Sequence, residues 1–152
     1  MKKIFLSFLV LTTICLSQIH FSNAISTLTY ITQTFDDGSY IEETISEVSS
    51  ITKTTTTKTK TLTYKSETGV ARWSLSVTGT FSYNGSIATC TNSKVSTKNY
   101  STTWRLSNAK ASKNGNQAIA SITAKQYTSN GTLSRTINKS VKLTCSPNGV
   151  IS

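Results

Sequence analysis

The sequence predicts an all-β protein: an antiparallel β-sandwich of about eight strands, immunoglobulin-like or similar, closed by one disulfide. Three observations carry this. Ser and Thr make up 47 of the 128 residues from Ile25 to Ser152, and β-branched Thr suits a pleated, half-exposed surface. Apolar residues recur with period 2 throughout, and no window holds a convincing period of 3.6. Asn-Gly or Asp-Gly pairs, which favour tight hairpin turns, punctuate the chain at 37–38, 84–85, 114–115, 130–131 and 148–149.

The first segment is read apart from the fold. Lys2 and Lys3 precede a mostly apolar run, Ile4–Leu16, short for a bilayer span, and Ser22-Asn23-Ala24 offers small residues before a cut. This is the layout of a secretory signal peptide over 1–24, with Cys15 and the single histidine, His20, inside it. The expectation is a secreted protein with one domain: a Thr-rich part over 25–67 and a cationic core over 68–152.

Asp37-Gly38 joins strands over Thr27–Phe35 and Ser39–Val48. The next stretch, ITKTTTTKTKTLTY (Ile51–Tyr64), has almost no apolar face and reads as an exposed strand kept from pairing by its lysines. Lys65–Gly69 is a longer loop. Trp73–Tyr83 is the clearest strand: Trp73, Leu75, Val77, Gly79, Phe81 and Tyr83 share one face, with Ser and Thr on the other. A two-residue turn at Asn84-Gly85 would set Tyr83 against Ser86, Phe81 against Ala88 and Gly79 against Cys90. The same rule at Asn114-Gly115 turns Ala109 and Ala111 inward but Trp104 and Leu106 outward, unless a bulge or longer loop intervenes. At Asn130-Gly131 it sets Ser129 against Thr132, Ala124 against Ile137, Ala120 against Val141 and Ala118 against Leu143. Arg135 and Lys139 share that inner parity, which calls for a bulge or a frayed edge. Asn148-Gly149 is a C-terminal turn.

Cys90 and Cys145 each fall on a packed face. In an oxidising compartment a Cys90–Cys145 bridge is the economical reading, with two free structural thiols as the alternative. The stretches RWSLSVTGTFSYNGSIATCTNSKVS, NYSTTWRLSNAKASKNGNQAIASITAKQY and INKSVKLTCSPNGVIS resemble small secreted all-β proteins of Gram-positive, mainly clostridial, bacteria. The likeness covers roughly residues 55–152 and implies a consistent fold but no catalytic residues.

Charge is one-sided. All six acids precede Thr68, and from Thr68 to Ser152 ten Lys and Arg stand against none. Such a field favours anionic partners, although exposed lysines also serve solubility. The candidate binding residues are Lys94, Lys98, Arg105, Lys110, Lys113 and Lys125, with Tyr100 and Trp104 as stacking rings; Trp104 reads first as core.

Catalytic inventories come out empty. Without His20 there is no Ser–His pair, and Cys90 and Cys145 lack a histidine base. Asp36-Asp37-Gly38 reads as a turn, Glu42 and Glu43 point to opposite faces, and Ser107-Asn108-Ala109-Lys110 matches S-x-x-K only in letters. Neither metal nor cofactor is expected. The expected function is a non-enzymatic monomer that binds anionic cell-wall or extracellular polymers. A membrane-active antibacterial protein is the first alternative and a self-associating structural or adhesin protein the second. Nucleic acid fits the charge but has no recognised motif.

Overall fold

The computed structural model describes residues 27–52 and 54–152; the segment 1–24, expected from its sequence to be a signal peptide, lies outside them. Eight strands follow in order: β1 (Thr27–Thr34), β2 (Tyr40–Thr52), β3 (Thr55–Lys65), β4 (Ala71–Tyr83), β5 (Ala88–Asn99), β6 (Trp104–Asn114), β7 (Gln117–Tyr127) and β8 (Leu133–Thr144). They form two antiparallel sheets, β1-β2-β3-β4-β5 and β6-β7-β8. An immunoglobulin sandwich has Greek-key crossovers; here every hydrogen-bonded neighbour is also a neighbour in sequence. The chain passes between sheets once, through Tyr100–Thr103. Because the path is a meander, the β1–β2, β3–β4, β5–β6 and β7–β8 connections gather at one end of the molecule.

Alternation decides what is buried. Along β4, Trp73, Leu75, Val77 and Phe81 have no exposed surface, while Ser76, Thr78 and Thr80 face outward. Along β7, Ala118, Ala120, Ile122 and Ala124 face in. Ala118 stands opposite Leu143, Ala120 opposite Val141 and Ala124 opposite Ile137, the pairs that the sequence predicts. Small residues on the central strand let the branched residues of β8 and the large ones of β4 reach between them. At one end, Tyr64, Trp73 and Trp104 form an aromatic cluster. The Tyr64 and Trp73 rings are stacked at 5.5 Å, and Trp104 is tilted against both. Trp73 Nε1 is the one buried side-chain polar atom without a partner among the described residues.

Two of the three Asn-Gly hairpin turns are longer than two residues, and the third is displaced by one, so the registers move accordingly. Asn84 Oδ1 accepts hydrogen bonds from the amides of Ser86 and Ile87, so the loop runs Asn84–Ile87 and Tyr83 meets Ala88. Cys90 therefore stands opposite Phe81, not Gly79, which pairs with Ser93 beyond a bulge. A slip of two keeps side chains on the same face, so Cys90 stays buried. The β7–β8 loop spans Thr128–Thr132, held by the Thr128 hydroxyl and Asn130 side chain. A register shift at Gln126/Tyr127 restores the expected inner pairs. At the β6–β7 hairpin the turn is Gly115-Asn116, and a bulge between Ser107 and Lys110, with Asn108 at positive φ, turns Trp104 inward.

Two expectations about lysines are corrected. β3 is not an exposed strand: it lies between β2 and β4, and Leu62 and Tyr64 set a parity that carries Lys58 and Lys60 inward. Lys60 is buried and pairs with Glu43 at 3.6 Å. The outward threonines of β3 instead bond across the strands: Thr57 to Thr80, Thr59 to Thr78 and Thr61 to Ser76 at 2.8–3.0 Å. Arg135 and Lys139 need no bulge or frayed edge. Both point inward from the open side of β8, where Arg135 reaches Tyr64 and Asp37 and Lys139 bonds Gln33.

Candidate anion-binding face

The outer face of the three-stranded sheet is built by the same alternation that buries Ala118–Ala124. Arg105 and Lys110 of β6 pair with Lys125 and Ser121 of β7, and Lys142 of β8 pairs with Ile119. All four cations are therefore on one face. Ser107, Ser112, Thr123, Thr136, Asn138 and Ser140 stand between them. This face has no carboxylate, because the chain has none after Glu67.

Arg105 and Lys125 are direct cross-strand partners. Like charges so placed, with Cβ atoms about 5 Å apart, oppose sheet formation and gain from an anion between them. Arg105 also lies over the Tyr127 ring, 5.6 Å from its centroid, a cation–π contact. Beside it is a depression of about 430 Å³ lined by Thr102, Thr103, Arg105, Tyr127, Thr128 and Ser129, among others. Hydroxyls can donate to the same oxyanions that a guanidinium can hold bidentately.

The acids are elsewhere, and Asp37, Glu42 and Glu43 are paired. Lys65 meets Glu42 at 2.8 Å, and this hydrogen bond raises the lysine's pKa. Tyr30 donates to Glu43, and that bond with partial burial pushes its pKa up to about 12. The Ser39 hydroxyl and then Arg135 hold Asp37 below the usual carboxylate range against some desolvation. Charge thus separates along the sandwich: carboxylates on β2 and the end loops, cations on β5–β8, where Arg135 alone is ion-paired among the described residues.

Of the eight binding residues suggested by sequence, Arg105, Lys110 and Lys125 come together. Lys94 and Lys98 lie on the outer face of the other sheet, opposite Thr78 and Ser74, with Lys98 5.0 Å from the Tyr100 ring centroid. Lys113 donates to the Thr91 carbonyl at 2.9 Å and ties β6 to β5. Trp104 is core. Lys142 and Tyr127 were missed, although Lys142 alternates with Val141 and Leu143 and was legible on that ground.

Cys90 and Cys145 are free, buried thiols in the structure, so the expected bridge is not formed there. Cys90 of β5 and Cys145, just past β8, both lie against the β6–β7 turn. The Cys90 amide donates to the Gly115 carbonyl and the Cys145 amide to the next one, Asn116. Desolvation raises both thiols, and for Cys145 the nearby Cys90 adds to the rise. Among the described residues no group of three or more His, Cys, Asp or Glu is placed to hold a metal, and no helix is long and apolar enough to cross a membrane.

Fold and face define a two-sheet, all-β meander with a carboxylate-free cationic surface. No known protein family, curated protein or solved structure matches the chain.

Proposed function

We propose that this is a secreted, non-enzymatic binding protein that holds anionic cell-surface or extracellular polymers on the outer face of the β6–β8 sheet. The observation that carries the reading is the direct pairing of Arg105 with Lys125 on a face with two further cations and no acid. Hydroxyls interleaved with the cations suit a repeating phosphate or carboxylate chain. The reading further includes oxidation of Cys90 and Cys145 to a disulfide by an exchange oxidant that accepts two electrons. That bond would close a loop of roughly 55 residues, worth about 4 kcal/mol by chain entropy.

Retention on poly(glycerol phosphate)-bearing cell walls tests the binding. Binding is expected at about 0.05 M salt and lost near 0.5 M, where screening shortens the reach of exposed charges to a few ångströms. The Arg105→Gln/Lys125→Gln double variant should bind far more weakly, and Lys94→Gln/Lys98→Gln on the opposite face should change little. No retention at low salt, or retention indifferent to salt, refutes the proposal.

A self-associating protein is the second reading, favoured by Leu28 and Ile31, which are 63% and 59% exposed on the unpaired edge strand β1. Light scattering that shows growth with concentration, abolished by Leu28→Lys, would support it over a monomer.

A further inference from the structure

A cleft of about 490 Å³ opens at the end of the molecule where the odd-to-even strand connections gather, within the size range of small-ligand sites. It uses none of the four cations above. Its walls come from three loops that the sequence separates widely: Asp37 from β1–β2, Glu67 from β3–β4 and Ser101–Thr103 from β5–β6. Arg72 is the second residue of β4, Gln126 the last but one of β7, and Tyr64 and Trp104 also line the cleft.

The groups are poised in a particular way. Asp37 is occupied, held by Ser39 and by Arg135, whose second nitrogen bonds Tyr64. Glu67 and Arg72 line the same cleft but make neither an ion pair nor a side-chain hydrogen bond with any described residue. Arg135, which does not line the cleft, neutralises Asp37, and Arg72 balances Glu67. A free anion would meet Glu67, and a cation would meet Arg72. What remains favoured is an uncharged ligand that both donates and accepts.

We infer that this cleft binds a neutral saccharide. A carboxylate, a guanidinium and an amide are planar groups that engage two adjacent hydroxyls at once, and each sugar hydroxyl can answer either kind. Tyr64 and Trp104, only 4% and 3% exposed, give the cleft an apolar floor of ring edges against which the C–H side of a pyranose can rest. Behind them Trp73 keeps its buried indole N–H without a partner, leaving this end of the core short of one acceptor.

The test is an array of neutral oligosaccharides probed with the full chain at about 0.5 M salt, where surface electrostatics are screened. Hits are titrated by tryptophan fluorescence, since Trp104 lines the cleft. The expected result is binding with Kd on the order of 1 mM or tighter. Glu67→Gln and Arg72→Gln should each weaken it about tenfold or more, as loss of charge-assisted bonds does. Both side chains lie at the surface, and near-ultraviolet circular dichroism checks that the folds are unchanged. Arg105→Gln/Lys125→Gln should lose the anionic polymer and keep the saccharide, so the two proposals fail separately. No binding to any neutral oligosaccharide on the array overturns the inference, as do equal affinities for wild type and both cleft variants.

Discussion

Gly79→Ala is the most direct test of how the two sheets meet. Gly79 has an ordinary extended backbone, so the glycine is required by space and not by conformation. A Cβ built there would lie 2.6 and 2.7 Å from Phe81 Cε2 and Cζ and 2.7 Å from Ala118 Cβ. Carbon atoms prefer about 3.5–4.0 Å, so each contact is short by roughly 1 Å. Neither neighbour yields easily. Phe81 has no exposed surface, and Ala118 is buried on the central strand β7 between Lys113 and Leu143. Overpacking of this kind costs roughly 1–3 kcal/mol. Against it, alanine restricts the unfolded chain and returns about 0.5–1 kcal/mol. The net expectation is a loss of about 1–2 kcal/mol. Urea unfolding followed by the fluorescence of Trp73 and Trp104 measures it, with an unchanged m value as the check on two-state behaviour. In a Phe81→Leu background two of the three clashing atoms are gone, and the penalty for Gly79→Ala should shrink by 1 kcal/mol or so, a coupling expected of residues in contact. If Gly79→Ala is as stable as wild type, the sheets are not packed as closely here as the structure has them.

The remaining predictions concern the two ends of the sandwich. Gly149 combines a φ of +82° with Tyr83 ring carbons 2.4–2.7 Å from a built Cβ, whereas Gly131 has φ +81° and open space. Gly131→Ala should cost only left-handed strain, about 1–2 kcal/mol, and Gly149→Ala at least another 1 kcal/mol; equal losses in urea would show that Tyr83 is not held against the turn. Protein recovered from an oxidising compartment should weigh two hydrogens less than the dithiol and leave no thiol for maleimide in denaturant; two reactive thiols would refute the bridge. Asp37 has a folded pKa below its ordinary 3.8, so its contribution to stability is present above that value and is lost as pH falls through the lower folded pKa. Acid unfolding should accordingly be shallower in Asp37→Asn below about pH 4, and identical acid limbs would remove Asp37 from the account.

Much of the architecture was legible because β alternation is local. The inner face of β4, the facing alanines of β7, the hairpin positions and the charge split all follow from neighbours two residues apart or from composition. The register errors at two of the hairpins have one physical origin. Asn84 and Thr128 use their side chains to bond nearby amides, which lengthens the loops and inserts bulges that restore or shift the register further along. The inward lysines of β3 were within reach, since Leu62 and Tyr64 declare the parity, but they lay in a run too polar to be taken for an inner face. The bulge at Asn108 that turns Trp104 inward was needed to bury a tryptophan, although its position was not readable.

By itself the sequence determined which residues of each strand share a face, that the second half of the chain is cationic without acids, and where the chain turns. Only the tertiary structure decided which strands meet. It set Cys90 opposite Phe81, parted Lys94 and Lys98 from Arg105, Lys110 and Lys125, and brought Glu67, Arg72 and Gln126 around one cleft. The first set depends on a two-residue period that each segment carries in its own letters. The second depends on sheet pairing and face-to-face packing, where the contacting residues are tens of positions apart and no local pattern records their meeting.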